Sequence, residues 1–74
     1  MSPDRLVYMA NQIGKFFAHR PDDAAAADIA DHLRKFWDPR MRRQIIALLD
    51  DAEQGDAENQ LDPIVRKAVA ILRA

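Results

Sequence analysis

The chain has 74 residues, no cysteine, and eleven Lys and Arg against twelve Asp and Glu for a formal net charge of -1. A domain this small barely offsets a conformational entropy loss of roughly 1.5 kcal/mol per residue, so a partner subunit is expected to add stability. The composition excludes disulfide staples, thiolate metal sites and thiol catalysis, and it lacks the basic excess of a dedicated nucleic-acid binder.

Hydrophobic residues at 49% are too many for a disordered tail, and charged residues at 31% fit a solvated surface. No apolar run approaches the roughly 20 residues that span a bilayer, and no basic, apolar leader opens the chain. The expectation is a soluble cytoplasmic protein with no membrane contact. Thirteen alanines, no threonine and two glycines favour helix throughout, without the β-branched alternation of strands. The expected fold is therefore all-α: one compact domain over residues 1–74, with three to four short amphipathic helices at about 3–18, 22–37, 39–53 and 63–73.

Ser2 followed by Pro3 is a cap residue before proline at the first helical position. Leu6, Met9, Ala10, Ile13, Phe16 and Phe17 then share one face at about 100° per residue. Gly14 lies beside that stripe, where it either admits a second helix or merely weakens its own. The second helix opens at Asp22 and Asp23 after Pro21, with an apolar face of Ala26, Ile29, Ala30, Leu33, Phe36 and Trp37. Asp38-Pro39 repeats the cap-plus-proline device almost without a linker, and Met41, Ile45, Leu48, Leu49 and Ala52 form the next stripe up to Gly55. Asp56 to Gln60 reads as a polar connection, and Asp62-Pro63 opens a last helix carrying Ile64, Val65, Ala68, Val69, Ile71 and Leu72. That wide apolar arc predicts contact with several neighbours or with another chain. Tyr8 and Ile46 fall off their stripes and are compatible with a second buried surface.

Charge order along the helices singles out the third. Acids early and bases late suit the helix macrodipole, and the first, second and fourth helices obey. The third reverses it, with Arg40, Arg42 and Arg43 at its start and Asp50, Asp51 and Glu53 at its end. A local rule broken once among several kept marks a functional candidate. One compensation is internal: the arginines pair with Asp28 or Asp31, and the acids with Arg66 or Lys67. The other is an acidic surface on a partner, with Trp37 beside the arginines as an anchor, since Arg and Trp are enriched in interface cores. Trp37 also reads as a core residue closing the angle between two helices.

Chemistry is otherwise sparse. The stretch His32 to Arg43 (HLRKFWDPRMRR) mixes bases and aromatics, as single-strand binders do, but Phe36 and Trp37 sit on the stripe that core packing needs. His32 and Asp28 share a helix face at a metal-like spacing, yet two ligands are too few without His19. Ser2 is a cap rather than a nucleophile, and no Gly-rich phosphate loop exists. No catalytic, cofactor-binding or metal-ligating residue is assigned. A stand-alone helical module, self-associating or weakly nucleic-acid-binding, is the alternative to a subunit.

Three stretches carry a resemblance: Leu6 to Phe17 (LVYMANQIGKFF), Ile29 to Ile45 (IADHLRKFWDPRMRRQI) and Leu61 to Leu72 (LDPIVRKAVAIL). With its FWDPRM core, the chain resembles the delta subunit of cytoplasmic NAD-dependent formate dehydrogenase. The resemblance implies a small non-catalytic accessory subunit supporting assembly, activation or stability of an enzyme that oxidises formate and reduces NAD. It also implies partners: the other formate dehydrogenase subunits, above all the large alpha subunit, which carries a molybdenum or tungsten pterin. Iron–sulfur clusters and FMN are expected in other subunits, and none in this chain. No catalytic residue transfers onto this sequence. The expected partner surface is the corner Phe36, Trp37, Asp38, Pro39, Arg40, Arg42 and Arg43, where the arginines meet carboxylates or a phosphate group, in its most specific form the pterin dinucleotide.

Overall fold

The structure is a computed structural model that describes residues 2–53 and 61–74. Among these residues four helices follow one another: α1 (Pro3–Phe17), α2 (Asp22–Phe36), α3 (Pro39–Glu53) and α4 (Pro63–Arg73). The protein is an all-α domain. Gly55, the segment Asp56 to Gln60 and the side chain of Ala52 lie outside the described residues.

The chain breaks where its caps and prolines direct. Ser2 Oγ accepts from the Arg5 N–H at 3.3 Å, and Asp38 Oδ1 accepts from the Met41 N–H at 2.9 Å. Each satisfies one donor that a helix start leaves without an intrahelical partner. Asp62 occupies the cap position of α4 without a side-chain cap bond. Its own N–H donates instead to Asn11 Oδ1 of α1 at 2.9 Å, a tie across 51 residues of sequence. Between α2 and α3 only Trp37 and Asp38 are non-helical, and Trp37 is extended at φ -89°, ψ 138°.

The core gathers Leu6 and Ala10 of α1; Ala26, Ile29, Ala30 and Leu33 of α2; Ile45 and Leu49 of α3; and Val65, Ala68 and Val69 of α4, with Trp37 and Leu61 closing it. α4 packs against all three other helices, most extensively against α2, and this accounts within the single chain for most of its wide apolar arc, Ile71 remaining exposed. Gly14 is buried where α1 meets α4, so its role is close approach.

Two apolar stripes extend further along the sequence than the core does. Phe16 is 77% exposed and Phe36 72% exposed, although both were expected on buried faces. Leu6, Ala10 and Gly14, spaced by four, form the buried line of α1, and Phe16 falls to one side of it. Phe36 has the right angle around α2 but sits at its last residue, where no neighbouring helix covers it. Ile46, expected off-stripe, is half-buried against the core.

Candidate partner-binding surfaces

The corner between α2 and α3 divides the predicted surface residues among different environments. Trp37 is 6% exposed and belongs to the core, because its extended backbone ends α2 and folds the indole inward. Asp38 is spent as the cap of α3. Pro39, Arg42 and Arg43 line one cleft of about 330 Å³ together with Arg34, Ile46 and Leu72. Arg40 is exposed near the same helix start but does not line that cleft. Phe36 lies in a different depression, with Phe17, Arg20, Asp28, Asp31, His32 and Lys35.

Among the described residues, which leave out the side chain of Glu53, the internal salt bridges expected of the reversed helix are not the ones formed. Asp28 pairs with Arg20 at 3.0 Å, and Asp31 pairs with Lys35 at 2.9 Å, one turn away on its own helix. An i,i+4 pair needs no second helix to be brought into register, so it forms in preference to a longer-range one. Asp50 meets Arg73 of α4 rather than Arg66 or Lys67. Lys67 reaches Asp23 at 3.0 Å, and the hydrogen bond and charge of Asp23 hold its ammonium above the usual lysine range. Among the described residues, no carboxylate pairs with Arg34, Arg40, Arg42 or Arg43.

Arg42 finds a different acceptor. Its Nη1 donates to the Arg34 carbonyl at 3.1 Å, within the last turn of α2. Those carbonyls lack intrahelical donors and carry the negative end of the helix dipole. The start of α3 therefore neutralises the end of α2, a compensation that side-chain identities alone do not display. Arg34 was missed as part of this cleft because a base in the last turn of α2 is already explained by the dipole. Off-stripe Ile46 was the available signal for the cleft's apolar floor.

A second surface runs across α1 and α2. The rings of Phe16 and Phe17 meet edge-on with centroids 5.4 Å apart, Phe17 meets His32 at 6.2 Å, and His32 meets Phe36 at 4.7 Å. Gln12, Ile13, Phe16, Phe17 and His32 enclose an apolar depression of about 320 Å³. His32 is thus an aromatic neighbour of Phe17 and Phe36. Among the described residues, no group of three or more His, Asp or Glu could hold a metal ion, and no helix is long and apolar enough to cross a membrane.

These features define a small all-α protein whose distinctive chemistry lies on open surface clefts. The profile of one family, described as the NADH-dependent formate dehydrogenase delta subunit FdsD, matches residues 5–69. The chain belongs to that family, as a delta subunit of an NAD-dependent formate dehydrogenase. No curated protein and no solved structure matches it.

Proposed function

We propose that the chain is a non-catalytic accessory subunit of a molybdenum- or tungsten-dependent, cytoplasmic formate dehydrogenase. It supports assembly, activation or stability of the large alpha subunit. The pterin metal centre, iron–sulfur clusters and FMN belong to other subunits of the complex, and nucleic acid is not a partner.

The observation that carries this reading is the arginine group at the start of α3, which meets no carboxylate among the described residues. Arginines brought together without a carboxylate partner among the described residues suit a complementary surface on another chain. In this reading Phe36, Pro39, Arg40, Arg42 and Arg43 face the partner. Trp37 and Asp38 act from beneath, the first by packing and the second by fixing the start of α3.

Co-purification tests the proposal. The chain is tagged, expressed with the other formate dehydrogenase subunits and followed through size exclusion, and the enzyme is also prepared without it. Stoichiometric elution with the large subunit, or an inactive enzyme when the chain is omitted, is the expected result. A fully active, fully assembled enzyme without the chain, and no subunit eluting with it, would overturn the proposal in favour of a stand-alone helical module.

A further inference from the structure

We infer that the cleft between the end of α2 and the start of α3 receives an acidic peptide segment of a partner chain, with its carboxylates against Arg34 and Arg43 and an aliphatic side chain on Pro39, Ile46 and Leu72. The inference rests on the accessory-subunit reading for the chain that supplies the segment.

Charge distribution gives the first reason. The whole chain carries a net charge of -1, yet Arg20, Lys35, Lys67 and Arg73 each pair with an aspartate while the arginines of this corner do not. Arg34, Arg40, Arg42 and Arg43 therefore concentrate positive charge at this corner, which draws an anionic surface toward it. Guanidinium forks match carboxylates in two-point geometry, whereas ammonium groups act as point charges.

The lining of the cleft selects the kind of anion. Its floor is Pro39, Ile46 and Leu72, which offers nothing to a free phosphate but buries an aliphatic group. A peptide with a Leu, Ile or Val between carboxylates uses both the floor and the arginines. Stacking of nucleobases, the usual companion of phosphate contacts in single-strand binding, has no platform here. Trp37 is in the core, and Phe36 lines another depression. Arg42 is already fixed by its bond to the Arg34 carbonyl, so less side-chain freedom is lost when the cleft is filled.

The test uses the full chain, tagged and co-expressed with the other formate dehydrogenase subunits. Four forms are compared: unaltered, Arg34→Glu with Arg43→Glu, Ile46→Ser, and Lys15→Glu as an exposed control on another helix. In a fifth form the photo-crosslinking residue p-benzoylphenylalanine replaces Arg43. Arg34 and Arg43 are exposed, so their reversal leaves helicity intact by far-UV circular dichroism. The expected result is binding weakened at least about tenfold by the double reversal, with most of the salt dependence lost. Ile46→Ser also weakens it, Lys15→Glu does not, and the crosslink maps to a partner segment rich in Asp and Glu around an aliphatic residue.

Unchanged affinity and salt dependence in the double reversal would overturn the inference. So would a crosslink to a segment without carboxylates or to a second copy of this chain. Release of the partner by inorganic phosphate or ADP would overturn it too, by showing a phosphate site. Failure of the unaltered chain to bring down or crosslink any subunit would overturn the inference as well, and only a fully active enzyme prepared without the chain would then overturn the accessory-subunit reading itself.

Discussion

Gly14 of α1 faces Val65 of α4 so closely that a Cβ built on the glycine would stand 2.6 Å from Val65 Cγ2. Both residues are buried, and the valine branches at Cβ, so its methyl has no low-energy rotamer to retreat into. Replacing a mid-helix glycine with alanine ordinarily stabilises by roughly 1 kcal/mol. Here the sign reverses. Gly14→Ala is expected to destabilise by about 1–3 kcal/mol through overpacking. Thermal unfolding should show it as a fall of several degrees, and Val65→Ala in the same chain should recover part of the loss.

Trp37 and Phe36 are adjacent aromatics with opposite environments, and their substitution separates them. Trp37→Ala empties a core position and is expected to cost about 3–5 kcal/mol, a large share of a small domain's stability. Phe36→Ala removes a ring that is 72% exposed and is expected to cost under about 1 kcal/mol. Chemical denaturation followed by circular dichroism reads both, and equal losses would contradict the burial of Trp37.

Asn11 joins α1 to the start of α4 by accepting the Asp62 N–H at 2.9 Å in a half-buried site. Asn11→Leu keeps helical propensity but leaves that donor without its acceptor. A loss of about 1–3 kcal/mol follows. Amide exchange should quicken at Asp62 and the first turn of α4 more than in α2.

The Lys67–Asp23 pair carries a pH signature. Asp23 raises the Lys67 pKa, chiefly through their hydrogen bond and then through its charge. A raised folded-state pKa adds stability that is complete below the unfolded lysine pKa and disappears as pH climbs through the folded one. Asp23→Asn should therefore shift the unfolding midpoint by the same small amount throughout the neutral range, with the difference from wild type shrinking only in strongly alkaline solution. A difference that persisted undiminished in strongly alkaline solution would contradict the pairing.

Much of the fold was legible because its punctuation is chemical. Ser2-Pro3 and Asp38-Pro39 start helices where they should, and the apolar spacing of Ile29 and Leu33 or of Ile45 and Leu49 points them inward. Periodicity gives direction around an axis, however, and not the extent of the neighbour. Phe36 has the correct direction and no cover, and Phe16 falls beside the line that Gly14 keeps narrow. The reversed charges of α3 were visible as an anomaly, but their resolution was not. Arg42 is answered by a backbone carbonyl, which every residue possesses and no sequence pattern marks. Arg34 and Leu72 join the cleft only through tertiary packing, from helices on either side of α3.

The bond from Arg42 to the Arg34 carbonyl closes a loop of eight residues, while the tie from Asp62 to Asn11 closes one of 51. Loop-closure entropy makes the longer tie costlier by about 1.6 kcal/mol. The basic wall of the cleft stands on the short loop, but Leu72 of its floor comes from α4, across the long one. The cleft is therefore a property of the whole tertiary fold, and an isolated α2–α3 hairpin would carry its charge without its complete floor.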